Sequence, residues 1–356
     1  MKFGKIRIED GQLIYIRHMI WNHMPCKDIV WAYKRREMVQ EGMSGNDLSK
    51  QMVSYFLVIF TRRQKQYEFS MSEKEVNDCI GLLCALNPDM VTGFPQGGRV
   101  PLQSQSNTRD LGGYTASNGR YILPQRLLRS GDLYHLSNAD KELLVDEYKV
   151  RTVIDLRSDM EREERPDTIL KGVEYYHVPV FEESLAGISR ENNGIMDAIS
   201  AMGDTPSEFM IKQYEKFVTD QMCVKQYAKF FNILLHHENG AVLWHCSAGK
   251  DRAGIATALL MSALGVPRKT IREDYRNSNR FLAEDREYAI RYLETKTIVD
   301  GRVMELVGAM YHVQEAYLNR VFKIIDEQYG SMSQFLRKQM YLTPRSIEEL
   351  KKKFLI

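Results

Sequence analysis

The chain has 356 residues, enough for one large domain or two modest ones, and 44% of them are apolar, which is enough for ordinary cores. A formal net charge of +2 gives no global electrostatic reason to expect nucleic acid or an acidic surface as partner. Met1 to Asp10 is charged and strand-like without an apolar signal-peptide core, and no run reaches the roughly 18 apolar residues that a membrane span needs. Five cysteines without framework spacing exclude a disulfide scaffold and point to a reducing, cytoplasmic setting. His23 with Cys26, and Cys79 with Cys84, have metal-like spacing but no matching second pair, so they read as structural, and neither metal nor cofactor is expected.

Residues 1 to 71 read as strands over Lys5 to Glu9, Leu13 to Ile20, Ile29 to Arg36, Val53 to Thr61 and Gln66 to Ser70. Asp10-Gly11, Met24-Pro25 and the polar stretch Glu41 to Lys50 separate them. The basic runs Lys34-Arg35-Arg36 and Arg62-Arg63 alternate with apolar residues and read as a solvated strand face. Ser72-Glu73-Lys74-Glu75 predicts a capping box for a helix reaching Leu86, closed by Asn87-Pro88. Residues 1–95 are thus expected to be a small β-rich domain with one C-terminal helix. Gln96-Gly97-Gly98 and Gln103-Ser104-Gln105-Ser106 predict a linker over 96–106.

Strands and helices alternate from 107 onwards. Ser137 to Asp140 is a second capping box, for a helix over Lys141 to Tyr148, and Val153 to Leu156 and Val173 to Val178 read as strands. One long helical region is expected from Pro206 to His237, followed by a buried strand over Ala241 to Trp244. Beyond Arg268 the pattern is helical, with Val313, Ala316, Tyr317, Val321 and Ile324 as an apolar stripe. The class is α/β, with a sheet flanked by helices and a helical C-terminal part.

The chemistry concentrates in His245-Cys246-Ser247-Ala248-Gly249-Lys250-Asp251-Arg252, between the apolar strand and a helix patterned by Ile255, Ala258, Leu259 and Ala263. A loop ending at a helix N-terminus turns unpaired N–H groups and the positive dipole end toward an anion. Gly249 lets the backbone come close to it, and Arg252 offers a planar fork for two phosphate oxygens. The same environment favours Cys246 as a thiolate nucleophile, with His245 orienting the loop. A merely buried cysteine would not explain Gly, Lys, Asp and Arg together. A nucleotide-binding loop fails too, because Asp251 follows Gly249-Lys250 and Trp244 stands where the first glycine would be.

The loop His-Cys-Ser-Ala-Gly-Lys-Asp-Arg-Ala-Gly resembles the signature of the cysteine-dependent tyrosine phosphatases, in the bacterial and fungal tyrosine/serine, lipid-active branch. Asn107 to Gly113, Leu128 to Leu133, Thr152 to Ser158, Asp274 to Asn279 and Tyr329-Gly330-Ser331 resemble that family as well, in the expected order. The resemblance implies a tyrosine-phosphatase-like catalytic domain over 107–356. The first 95 residues loosely resemble a pleckstrin-homology-like module, as architecture only.

The family usually carries Thr or Ser after the loop arginine, where this chain has Ala253, so a changed or slow second step is expected. Two carboxyls compete as proton donor: Glu182, at the position where the family usually has an aspartic acid, and Asp251 inside the loop. Glu182 is slightly favoured. Asp274 is expected to support the loop from behind. Lys250 adds charge beside the phosphate site, as in phosphoinositide-active relatives, or else points to solvent and pairs with Asp251. The expected function is a phosphomonoesterase for phosphotyrosine, with phosphoserine or phosphoinositide activity open. The alternative is a weakly active module that binds phosphorylated ligands.

Overall fold

The computed structural model describes residues 1–17, 19–40, 51–63, 65–92, 97–181, 206–295 and 301–355. The chain divides into two compact units, Met1–Pro95 and Gln96–Ile356.

The first unit opens with an antiparallel meander of β1 (Lys2–Phe3), β2 (Ile6–Glu9), β3 (Gln12–Arg17) and β4 (Ile20–Pro25). A second sheet, in the order β7-β6-β5-β8, is built from β5 (Ile29–Gln40), β6 (Gln51–Thr61), β7 (Gln66–Met71) and β8 (Val91–Thr92). Strand alternation sets the core: in β2, Ile6 and Ile8 are buried while Arg7 and Glu9 are exposed. Helix α1 (Glu73–Leu86) starts with the expected Ser72–Glu75 capping box and buries Val76, Cys79 and Leu83 at helical spacing. Asn87 closes it, donating through Nδ2 to the carbonyls of Cys26 (3.1 Å) and Ile29 (2.8 Å). Cys26 and Cys79 sit in this apolar core, and burial pushes the Cys79 thiol up to about 12.

The single strand expected over Leu13 to Ile20 is in fact two. Met19 takes φ +64° in a turn between β3 and β4, and Met24-Pro25, expected as a break, ends β4. Apolar residues run on both sides of the turn with no Gly, Asn or Pro at its centre, so nothing in the pattern marks it.

The second unit is built on a six-stranded sheet in the order β13-β12-β14-β11-β10-β9. Its strands are β9 (Gly98–Arg99), β10 (Arg109–Asp110), β11 (Leu127–Ser130), β12 (Val150–Asp155), β13 (Glu174–His177) and β14 (Ala241–His245). β11, β14, β12 and β13 run parallel, while β10 and β9 add antiparallel pairs at one edge. Every residue of β14 and β11 is buried, as in central strands of a covered parallel sheet, including the polar Arg129, Ser130 and His245 at their carboxyl ends. Ser130 and Asp155 both lie level with His245, so the loops leaving β11, β12 and β14 gather at one carboxyl edge.

The helices are α2 (Asn138–Glu142), α3 (Asp159–Glu164), α4 (Pro206–Thr219), α5 (Gln221–His236), α6 (Arg252–Leu264), α7 (Arg268–Phe281), α8 (Ala283–Glu294), α9 (Gly301–Tyr311), α10 (Glu315–Tyr329), α11 (Met332–Gln339) and α12 (Pro344–Phe354). Four expectations change. The helix expected over Pro206 to His237 breaks at Asp220, whose carboxylate caps α5 by accepting from the N–H groups of Met222 and Cys223. The helix after Ser137 keeps its capping box but widens into a π turn over Leu143–Glu147. In the stripe expected along α10, Val313 lies before the helix and Ala316 is exposed, while Val313, Tyr317, Val321 and Ile324 are buried with Leu318. Finally, residues 97–106, expected as a linker, pack into the second unit. Gly98–Arg99 pairs with Arg109–Asp110, and the backbone N–H groups of Gln103 and Ser104 donate to Asp140 at 2.7 and 3.1 Å.

Candidate active site

The loop from Cys246 to Asp251 spans the carboxyl end of β14 and the first turn of α6. Its carbonyls are bonded outward. Ser247 O accepts from Asp132 N (3.1 Å), Ala248 O from Asn107 Nδ2 (2.8 Å) and Gly249 O from Arg129 Nη2 (2.7 Å). Since the C=O and N–H of a trans peptide point opposite ways, this arrangement turns N–H groups to the inside of the loop. Gly249 has φ +71°, and a Cβ there would fall 2.5 Å from the carbonyl carbon and oxygen of Ser130, so a glycine is required on both counts.

Arg252 is held by a residue that the sequence reading missed. Its Nη1 and Nη2 donate to Glu161 Oε2 and Oε1 at 2.5 and 2.7 Å, and Nη2 also donates to Ser247 Oγ at 3.2 Å. Ser247 Oγ donates to Glu161 in turn. Burial alone would raise the Glu161 carboxyl, but the Arg252 guanidinium and these donors bring it down to about 2. Arg252 stays a cation although buried, because Glu161 outweighs the cost of its desolvation. A guanidinium has five N–H donors, of which three are engaged here, so donors remain for an oxyanion. A signal for Glu161 was present in the sequence. Ser158-Asp159-Met160-Glu161 is a capping box directly after the family-like segment Thr152 to Ser158, and both halves of the box form.

Behind the loop lie two ionic clusters. Arg157 binds Asp155 through Nε (2.9 Å) and Nη2 (2.7 Å), and its Nη2 also binds Asp167 (2.8 Å). His245 Nε2 lies 2.8 Å from Asp167 Oδ2, and although burial opposes charge on the ring, Asp167 and Asp155 raise its affinity for the second proton. The donor atoms of Asp155, Asp167 and His245 all lie within 4.8 Å of one another, but the Arg157 guanidinium already sits between the two carboxylates. In the other cluster, buried Asp274 accepts from Arg129 Nη1 (2.6 Å), Arg109 Nε (3.3 Å) and Tyr114 (3.1 Å). It reaches the loop through Arg129.

Cys246, with 2% exposure, opens onto a cavity walled by Phe181, Phe209, Phe217 and Met310. Asp251 lines the same cavity. It accepts from the Tyr214 hydroxyl at 2.6 Å, which in turn accepts from Tyr275 at 2.7 Å, and it pairs with Lys250 Nζ at 2.7 Å. Lys250 is itself buried, so it does not point to solvent. Glu182 lies outside the described residues.

Comparison with known proteins agrees with this geometry. Residues 100–356 match the tyrosine phosphatase family. The chain is 31% identical over 239 residues to a protein of Cupriavidus necator provisionally named a tyrosine-protein phosphatase, covering 65% of this chain and 80% of that one. It is 26% identical over 256 residues to the triple specificity protein phosphatase PtpB of Mycobacterium tuberculosis, covering 65% and 90%. A tyrosine-protein phosphatase of Nostoc commune is 30% identical over 155 residues, covering 44% and 49%. The chain belongs to the tyrosine phosphatase family. It is a phosphoric monoester hydrolase of the kind that works through a cysteinyl-phosphate. Among the described residues, no helix is long and apolar enough to cross a membrane.

Proposed function

We propose that Cys246 attacks the phosphorus of a phosphate monoester, that Arg252 and the inward N–H groups of the loop hold the phosphoryl oxygens, and that water then hydrolyses the cysteinyl-phosphate. The observation that carries this reading is the union, on one outward-bonded loop, of an apolar-walled cysteine with an arginine fixed in orientation by Glu161. His245 and Asp274 act as supports, the first through Asp167 and the second through Arg129. Hydrolysis of p-nitrophenyl phosphate tests it. Cys246→Ser should lose several orders of magnitude in kcat, and Arg252→Ala should raise KM and lower kcat together.

Asp251 is the carboxyl we assign to the leaving oxygen, because it lines the cavity beside Cys246 and is oriented by Tyr214. Asp251→Asn should therefore slow alkyl phosphates far more than p-nitrophenyl phosphate, whose good leaving group needs little protonation. If Glu182→Gln shows that split and Asp251→Asn does not, the role moves to Glu182.

A phosphotyrosyl protein is the substrate class we favour, since the walls of Phe181, Phe209, Phe217 and Met310 suit a phenyl leaving group. Phosphoserine and phosphoinositides are secondary substrates in this reading. A polyphosphorylated headgroup would have to draw Lys250 away from Asp251. Buried Ala253, which brings no hydroxyl to the loop, supports one second reading: a phosphatase that binds and cleaves but releases phosphate slowly.

A further inference from the structure

Among the described residues of the first unit, the turn joining β3 to β4 carries the most exposed apolar side chains. Met19 is 96% exposed, Ile20 66%, Trp21 57% and Ile16 55%. Register pairs Ile16 with Trp21 and Arg17 with Ile20, so the apolar side chains stand on both faces of the ribbon. A flat protein surface covers one face of a ribbon. A fluid interface closes around both, and tryptophan is the residue that favours such a boundary.

The charges are arranged to match. Because β1 to β4 form a meander, the β1–β2 turn with Lys5 lies at the same end as the Met19 turn, and the β2–β3 turn with Glu9 and Asp10 lies at the other. Lys5 and Arg17 flank one shallow groove with Ile16, whose rim also holds Glu68, a residue bonded to Gln66. Arg7 sits 5.9 Å from the Trp21 ring while paired with Glu9 at 3.3 Å. An apolar prong with cations at its base and acids at the far end is the form of an interfacial anchor.

We propose that Ile16, Met19, Ile20 and Trp21, at the end of the β3–β4 ribbon, insert into the surface of an anionic lipid bilayer, with Lys5 and Arg17 meeting the lipid headgroups. Attachment of this unit to a membrane surface goes beyond phosphatase chemistry and does not depend on it.

The test uses the full chain with vesicles of phosphatidylcholine, alone or mixed with phosphatidylserine, read by co-sedimentation and by tryptophan emission. Of the three tryptophans, Trp31 and Trp244 are 1% and 0% exposed, so an emission shift reports on Trp21. Phosphatidylserine vesicles should bind the chain and shift its emission to the blue, and phosphatidylcholine alone should bind about tenfold more weakly or worse. Met19→Ser with Ile20→Ser should lower binding by about tenfold or more, and Lys5→Glu with Arg17→Glu should remove the preference for anionic lipid. Circular dichroism monitors folding, and the charge variant keeps the test decisive if the serine variant misfolds. Failure of wild type to bind phosphatidylserine vesicles would overturn the proposal. So would serine-variant binding equal to wild type, or a turn that only joins two copies of the chain.

Discussion

Ala253 is the residue at which this loop departs from its family's pattern. It is buried in the first turn of α6, and its carbonyl accepts from Thr257 Oγ1 (2.7 Å) and Trp244 Nε1 (3.3 Å). With no hydroxyl beside the departing thiolate, breakdown of the cysteinyl-phosphate should lag behind its formation, and stopped-flow traces should show a burst followed by a slow steady rate. Ala253→Ser, the smallest change that adds a hydroxyl to a packed position, should shrink the burst and raise the steady rate by about tenfold, the worth of one hydrogen bond of about 1.4 kcal/mol. The absence of a hydroxyl at 253, the Cys246–Arg252 pair and the need for Gly249 were all legible in the sequence, because each is a property of one position within a short motif. Whether Lys250 stands beside the phosphate site or turns away to pair with Asp251 was not, since its ammonium also donates to the Ala309 carbonyl of α9, 59 residues away.

At the scale of elements, the short helix α3 carries more than its length suggests. Glu161 caps it by accepting from Ser158 N at 2.9 Å and holds Arg252 with the same carboxylate. Its native value of about 2 lies below its ordinary 4.5, so its stabilising contribution is complete above about 4.5 and is lost as pH falls through 2. At 1.36 kcal/mol per unit this is on the order of 3 kcal/mol, and Asp155, also brought to about 2, loses its contribution in the same acid window. Denaturant midpoints measured from pH 5 downward should therefore fall steeply in wild type and less steeply in Glu161→Gln, which should also raise KM because Arg252 is no longer held. Capping signals read well in sequence because Ser, Asp and Glu mark them locally, as at Ser72 and Ser137. The break at Asp220 was missed because apolar periodicity continues across it, and only the cap itself reveals where α5 begins.

At the scale of the molecule, the two units keep separate cores: one drawn from Phe3 to Met90, the others from Val100 onwards. A fragment beginning at Gly97 should fold and hydrolyse p-nitrophenyl phosphate at close to the full-chain rate. One beginning at Asn107 should be unstable, because it loses β9, the Asp140 contacts of Gln103 and Ser104, and Gln105, which packs where a Cβ on Gly131 would come within 2.3 Å. Soluble yield and thermal melts of the two fragments check this. The α/β character of the second unit was legible from the apolar strand runs, whereas the packing of 97–106 was hidden by a composition typical of linkers.

The most direct measurement is acid quench of the enzyme during turnover of a phosphotyrosyl peptide, followed by mass spectrometry of its proteolytic fragments. A phosphoryl group on Cys246 that accumulates within the burst and is absent from Cys246→Ser is the predicted result. Turnover by Cys246→Ser at more than about a tenth of the wild-type kcat, or a phosphoryl group on another residue, would contradict the mechanism.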